Sequence, residues 1–229
     1  ALGRVGEPYA VTPLVGLLTD EDLEVQREAV VARGKIRGIR ALIGTTNRPH
    51  VGTIIKPKVG LSPDDTAGVA YQAALGGVDL IKDDETLTDQ AFCPMRERVP
   101  RVMAALGRVK EETGRQVLYA VNITTRADRI VERAKEAIAL GANMVMVDVI
   151  ITGFGALQAL GEAPGVTVPI HVHRAMHAAM TRNREHGIAM RPFARLVRWL
   201  GGDQLHTWTV SGKMSHEAEE VLGDNAVLT

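Results

Sequence analysis

From Val51 onward the chain repeats one pattern six times: a short run rich in β-branched residues, then a longer stretch with helical apolar spacing. The short runs fall at 52–57, 79–84, 117–124, 144–150, 169–174 and 204–209. Strands that take turns with helices pair in parallel, because each crossover returns the chain to the same end of the sheet. The run at 144–150, Met-Val-Met-Val-Asp-Val-Ile, is almost unbroken in apolar residues, as in a strand covered on both faces. Aromatic residues make up only 3% of the chain, so its core has to be built from Ala, Val, Leu, Ile and Met, the residues that helix-on-sheet layering uses.

The connecting stretches carry helix signals. Ser62-Pro63-Asp64-Asp65 offers a side-chain cap, a proline suited to the first helical position and two acids at the positive helix end. That helix is predicted to stop at Gly76-Gly77. Within 126–141, Ile130, Val131, Ala134, Ala137 and Ile138 share a helical face, and 142–161 reads as strand, turn and helix. Two architectures accommodate such units, the closed (β/α)8 TIM barrel and the open doubly wound sheet. The first strand–helix junction, Lys56-Pro-Lys-Val-Gly-Leu-Ser62, lacks the G-x-G-x-x-G of a dinucleotide fold. The predicted class is therefore α/β, a TIM barrel over 51–229 with about six of its eight units present. Residues 1–50 form a leader, with a capped helix expected from Thr19-Asp-Glu-Asp towards Arg33 and glycines at 34, 38 and 44 interrupting the path to Pro49.

Charge excludes some function classes. Lys and Arg number 27 and Asp and Glu 27, with a pI near 7.3, so the broad basic surface of a nucleic-acid or anionic-membrane binder is missing. Any phosphate site has to be local. The lone Cys93 has no partner for an internal disulfide, no charged-then-apolar leader opens the chain, and polar residues and glycines break its longest apolar stretch; cytoplasm is the expected compartment.

Polar residues gather at one end of the predicted strands. The first run ends in Lys56 and Lys58, the second in Lys82-Asp83-Asp84-Glu85, the third in Asn122, the fifth in His171, His173, Arg174 and His177, and the sixth in His206. In a parallel barrel all these ends open on one face, where barrel enzymes carry their chemistry. Taken singly, each residue has a plain explanation: a structural histidine, a solvated acidic turn, a snorkelling lysine. Their coincidence argues otherwise, since buried charge is costly unless paired or metal-bound. Asp84 and Glu85 are hard oxygen donors suited to Mg²⁺. His171-x-His173 share a strand face and are open to a zinc reading or to direct substrate contact. Lys56 and Lys58 likewise share a face about 7 Å apart by strand rise, and two ammonium groups held that close depress each other's pKa, which would poise one for proton transfer near neutral pH.

The segments 52–61 (Gly-Thr-Ile-Ile-Lys-Pro-Lys-Val-Gly-Leu), 76–85 (Gly-Gly-Val-Asp-Leu-Ile-Lys-Asp-Asp-Glu), 173–178 (His-Arg-Ala-Met-His-Ala) and 212–214 (Gly-Lys-Met) together resemble the large chain of ribulose-1,5-bisphosphate carboxylase/oxygenase. Residues 146–157 and 173–183 are most similar to its archaeal, form III branch. The resemblance covers about residues 45–229 and makes 1–50 the end of an N-terminal domain and its linker. It implies that Lys82 is carbamylated by an activator carbon dioxide and, with Asp84 and Glu85, holds Mg²⁺. The carbamate would take the C3 proton of ribulose 1,5-bisphosphate, giving an enediolate that carbon dioxide carboxylates and oxygen oxygenates, a lyase with a side activity as monooxygenase. Lys56 would be the proton-transfer lysine with Lys58 beside it, and His173 would assist hydration and later proton steps. Arg174 and His206 would bind a substrate phosphate, Asn122 and His177 would line the same pocket, and Lys213 would close over the site from a mobile loop. The product would be 3-phosphoglycerate, the substrate nucleotide-derived, and the assembly a homodimer or higher homo-oligomer, with neither nucleic acid nor membrane as partner.

The same resemblance exposes departures. His206-Thr-Trp208-Thr stands where the family has His-x-Gly-Thr, and Met214 is followed by Ser215 and His216 rather than Glu and Gly. Two barrel units and the N-terminal domain are not visible, so the rival expectations are a related enolase or isomerase of a sugar phosphate, or an inactive fragment. Trp208 places a bulky ring where a glycine lets phosphate approach. Steady-state kinetics of Trp208→Gly are expected to show a lower KM for the bisphosphate, and an unchanged KM would remove steric crowding as the explanation.

Overall fold

The computed structural model describes residues 38–181, 183, 185–207, 219 and 221–223. The helix expected from Thr19 and the loop carrying Trp208, Lys213, Ser215 and His216 lie outside them. The described elements are α1 (Ile39–Ile43), β1 (Gly52–Ile54), α2 (Pro63–Leu75), β2 (Leu80–Lys82), α3 (Met95–Thr113), β3 (Leu118–Asn122), a 3-10 turn (Ala127–Arg129), α4 (Ile130–Ala139), β4 (Met144–Asp148), α5 (Val149–Thr152), α6 (Phe154–Glu162), β5 (Ile170–His173), α7 (His177–Thr181), α8 (Met190–Trp199) and β6 (Gln204–Leu205).

The six strands form one sheet in the order β1-β2-β3-β4-β5-β6, every pair parallel. Strictly sequential order distinguishes a barrel from a doubly wound sheet, in which the order reverses at a switch point. The sheet also curls. A flat one would hold β2 and β6 about 19 Å apart over four strand spacings, yet Lys82 at the end of β2 acts electrostatically on His206 just past β6. These residues therefore form a curled, six-stranded part of a TIM-like barrel.

Alternation along the strands builds two cores. Ile81, Tyr119, Val121, Val145, Val147, Ile170 and Val172 face outward into the main core with α2, α3, α4, α6 and α8. Leu80, Leu118, Ala120, Met144 and Met146 face inward, joined by Ile39 and Ile43 of α1. The inner face is thus apolar at its base, and its polar residues stand one or two positions further along each strand. Ser62 caps α2 as its sequence indicates: the Asp65 amide donates to the Ser62 hydroxyl, the Asp65 carboxylate accepts from the Ser62 amide, and Gly76 follows the last turn.

The strands are shorter than the apolar runs. β1 ends at Ile54, so Lys56 and Lys58 do not share a strand face, and the strand-rise argument for them fails; both stand exposed on the following loop. β4 gives way at Val149 to a single helical turn, and β6 ends at Leu205. Past β1 and β6 one further backbone bond continues each ladder, from the Ile55 amide to the Lys82 carbonyl and from the His206 amide to the Val172 carbonyl, both at 3.1 Å, whereas at the end of β4 the Asp148 amide donates to the Thr124 hydroxyl at 2.9 Å. No helix among the described residues is long and apolar enough to cross a membrane.

Asp79 fastens the start of β2. Arg48 donates from Nη1 and Nη2 to its two oxygens at 2.6 Å each, and the Val51 amide donates at 2.9 Å. The bonds from Arg48 outweigh burial and hold the Asp79 carboxyl at about 2. An unfolded aspartate titrates at about 3.9, so this stabilisation is present above about pH 4 and is lost as pH falls through 2. Asp79→Asn is expected to cost about 1–2 kcal/mol at pH 6, discounted for the half-exposed Arg48. Urea melts at descending pH should show the gap closing towards pH 2.

Candidate active site at the carboxyl ends of the strands

The rim begins with Lys82, the last residue of β2, whose inward-facing side chain is only 9% exposed. Its Nζ donates to the Asp83 carbonyl at 3.3 Å and lies 3.6 Å from Glu85 Oε2. Burial drives the Lys82 amine down, against the opposing pull of Glu85, Asp84 and Asp148. Lys56 crosses from the loop after β1 to pair with Asp84 Oδ2, while the Thr86 amide and hydroxyl donate to Oδ1 at 2.9 and 2.6 Å. Burial would raise the Asp84 carboxyl, but the bonds from Lys56 and Thr86 outweigh it and hold the group at about 2. Glu85, likewise opposed by burial, is brought below its ordinary range by its backbone hydrogen bond and by the charges of Lys82 and His173.

Asn122, at the end of β3, buckles this turn into place. Its Nδ2 donates to the carbonyls of Asp84 at 3.1 Å and Glu85 at 3.0 Å, and its Oδ1 accepts from the Thr124 amide at 3.0 Å. From β4, fully buried Asp148 meets His173 Nδ1 at 2.8 Å, orienting the imidazole so that Nε2 is its other reactive edge. The His173 and His206 rings lie 5.5 Å apart. Crowding by protein, then the charges of His173, Lys82 and Arg174, push His206 down to about 4, although the residue stays open to solvent. Buried His171 pairs through Nδ1 with Gln204 Oε1 at 2.7 Å, and burial pushes it down to about 3, so it is neutral at pH 7.

Lys56, Lys82, Asp84, Glu85, Asn122, His173 and His206 are thereby linked in one cluster. Arg174 adjoins it, with Nε and Nη2 donating to the Thr207 carbonyl at 3.1 and 3.0 Å; burial pulls its guanidinium down to about 10. His177 is buried with its ring 4.6 Å from that of Phe193 of α8, and Lys58 is exposed on the β1 loop. Lys213 lies outside the described residues.

Sequence reasoning missed Asp148, although it ends the apolar run of the fourth strand just as the other polar residues end theirs. A second omission lies on the outer face. Asp83 points away from Lys82 and accepts from the Tyr119 hydroxyl, from Arg98 Nη2 at 3.1 Å and from the Asn122 amide at 2.9 Å. Both Arg98 and Asp83 are fully buried. Burial pushes the Asp83 carboxyl up, while the Arg98 guanidinium, opposed by its own burial, is drawn up by Asp83. Three donors converging on one carboxylate decide for the ionised pair. The signal was an arginine inside the apolar stripe Met95, Val99, Val102, Leu106 of α3.

Residues 35–228 match the family described as ribulose bisphosphate carboxylase large chain, catalytic domain. The chain belongs to this family. The ribulose bisphosphate carboxylase of Methanocaldococcus jannaschii is 46% identical over 186 residues, which are 81% of this chain and 44% of that protein. Among solved structures, octameric ribulose-1,5-bisphosphate carboxylase/oxygenase (Rubisco) from Pyrococcus horikoshii OT3 superposes with a TM-score of 0.79 at 41% identity, over 83% of this chain and 45% of that one. A rubisco-like protein from Burkholderia fungorum also reaches 0.79, at 35% identity over 85% of this chain and 48% of that one. The chain thus spans less than half the length of the Rubisco relatives it matches. Archaeal enzymes stand among these relatives, in keeping with the archaeal resemblance of residues 146–157 and 173–183.

Proposed function

We propose that this chain carries the metal and proton-transfer half of a Rubisco active site, and that the intact protein carboxylates ribulose 1,5-bisphosphate to 3-phosphoglycerate, with oxygenation as the side reaction. The observation that carries the reading is Lys82: a buried amine, pushed towards its neutral form by burial, beside Asp84 and Glu85. Only a neutral amine has the lone pair to attack carbon dioxide. The ammonium first sheds one proton; attack then forms an N–C bond as one C–O π pair moves onto oxygen, and the nitrogen releases a second proton. The loss of two protons thus turns a cation into an anion.

That change of sign makes the residues fit a divalent ion. Among the described residues no three His, Cys, Asp or Glu side chains converge to hold a metal by themselves. A carboxylated Lys82 would add a third hard oxygen donor to Asp84 and Glu85, the set that Mg²⁺ prefers. Mg²⁺ held there would supply Lewis-acid polarisation of the sugar's oxygens.

The remaining chemistry falls to the chain itself. A carboxyl acquired by Lys82, whose side chain faces inward, would accept the C3 proton. Lys56, anchored on Asp84, would exchange a proton with the sugar oxygens. His173, oriented by Asp148, offers Nε2 to a hydrating water, and Arg174 and His206 bring positive or hydrogen-bonding groups to a phosphate. Lys58, His177 and Lys213 complete the proposed substrate contacts, and the octameric relative supports a homo-oligomer.

The likeness to the Burkholderia rubisco-like protein favours a second reading, enolisation or isomerisation of a related sugar phosphate without carboxylation. Incorporation of labelled carbon dioxide into 3-phosphoglycerate by the intact protein separates the two. Incorporation is expected to require Mg²⁺ and to fall at least ~10³-fold in Lys82→Ala, as when a group acting in the transition state is removed. Enolisation with no label in the product would establish the second reading.

A further inference from the structure

Strand pairing stops at Lys82, yet Asp84 and Glu85 beyond it hold fixed positions on the inner rim. Something other than the ladder sets their direction. On the inside, Asn122 and Thr86 hold the turn. On the outside, Asp83 is clamped by Tyr119, Arg98 and the Asn122 amide, with its own amide donating to the Ala120 carbonyl at 3.1 Å. Because Asp83 lies between Lys82 and Asp84, fixing its side chain outward turns both neighbours inward.

Arg98 reaches further than Asp83. Its Nη1 donates to the Cys93 carbonyl at 2.6 Å, Nη2 also donates to the Thr88 carbonyl at 3.1 Å, and Nε donates to the Tyr119 oxygen at 3.2 Å. One guanidinium therefore ties the end of β2, the face of β3 and both halves of the loop that carries Asp84, Glu85 and Thr86 to helix α3. A buried ion pair is weak evidence of stabilisation in its own right, since apolar replacements often do as well. What a planar fork supplies that apolar packing lacks is direction: four acceptors held at set angles.

We propose that Arg98, acting through Asp83 and Tyr119 from the far side of the sheet, is a positioning residue for the metal-binding turn, setting the aim of Lys82, Asp84 and Glu85. The proposal rests on the metal reading of those three residues. Lysine at position 98 keeps the charge but cannot span the four acceptors, so the turn loses its aim while the pocket keeps a cation.

The test is Mn²⁺ binding to the intact protein in saturating carbon dioxide, followed by electron paramagnetic resonance, with folding checked by circular dichroism. Arg98→Lys is expected to weaken Mn²⁺ binding ~10–100-fold, the range for groups that orient metal ligands from behind, and to lower kcat with KM for the bisphosphate little changed. Tyr119→Phe, which keeps the ring and removes one donor, is expected to weaken Mn²⁺ in the same direction and keeps the test decisive if Arg98→Lys does not fold. Asp79→Asn, which loosens β2 at its opposite end, is expected to bind Mn²⁺ as the unmodified protein does. Folded Arg98→Lys or Tyr119→Phe protein with unchanged Mn²⁺ affinity, or equal weakening in Asp79→Asn, overturns the positioning role and leaves the metal reading standing. Failure of the unmodified protein to bind Mn²⁺ overturns both.

Discussion

The rest of the site depends on a lysine kept out of water. An ammonium group buried at the rim of a sheet is unfavourable unless acids surround it, and acids so placed repel one another unless a cation lies between them. Lys82, Asp84 and Glu85 satisfy one another only as a set, with Lys56 taking one oxygen of Asp84 and Asp148 adding its charge from two strands away. The balance is close, and this suits a site whose central residue, as proposed, would change sign. On the proposed reading, an amine pushed towards neutrality by burial is open to carbon dioxide, and the anion it would become has two carboxylates beside it that would call for a cation.

The fold supplies what such a cluster requires. Sequential parallel pairing delivers every strand to the same rim, and the curl brings residues of β2 and β6 within electrostatic reach. The base of the inner face is filled by Leu80, Leu118, Met144 and the α1 residues Ile39 and Ile43, which keep water from below. Helices on the outer face lend more than packing. Through Arg98, α3 reaches the strand end that carries the acids, so the helical layer and the polar rim are one mechanical unit there.

Much of this was legible in the residues. The six strand positions, the Ser62 cap, the stop at Gly76 and the clustering of Lys56, Lys82, Asp84, Glu85, His173 and His206 follow from period, caps and the rule that parallel strands open on one face. Other expectations needed coordinates. Lys56 and Lys58 look like alternate residues of one strand, but β1 stops at Ile54 and Lys56 finds Asp84 instead of a second lysine. Asn122, expected to line the pocket, also holds backbone with both ends of its amide, a role that only coordinates reveal. His177, four residues past His173 across a non-helical turn, begins α7 and packs against Phe193.

The order of types along the chain determined the class of fold and the face on which chemistry gathers, because hydrophobic period and strand direction are local properties that neighbouring residues settle among themselves. Which acid meets which base was decided only in three dimensions. Asp148 and His173 are 25 positions apart, Lys56 and Asp84 28, Asp83 and Tyr119 36. Pairings over such distances depend on how far each strand extends, how tightly the sheet curls and which face a residue takes at a strand's last hydrogen bond. No short stretch of chain contains that information, since burial and partner are properties of the assembled layers.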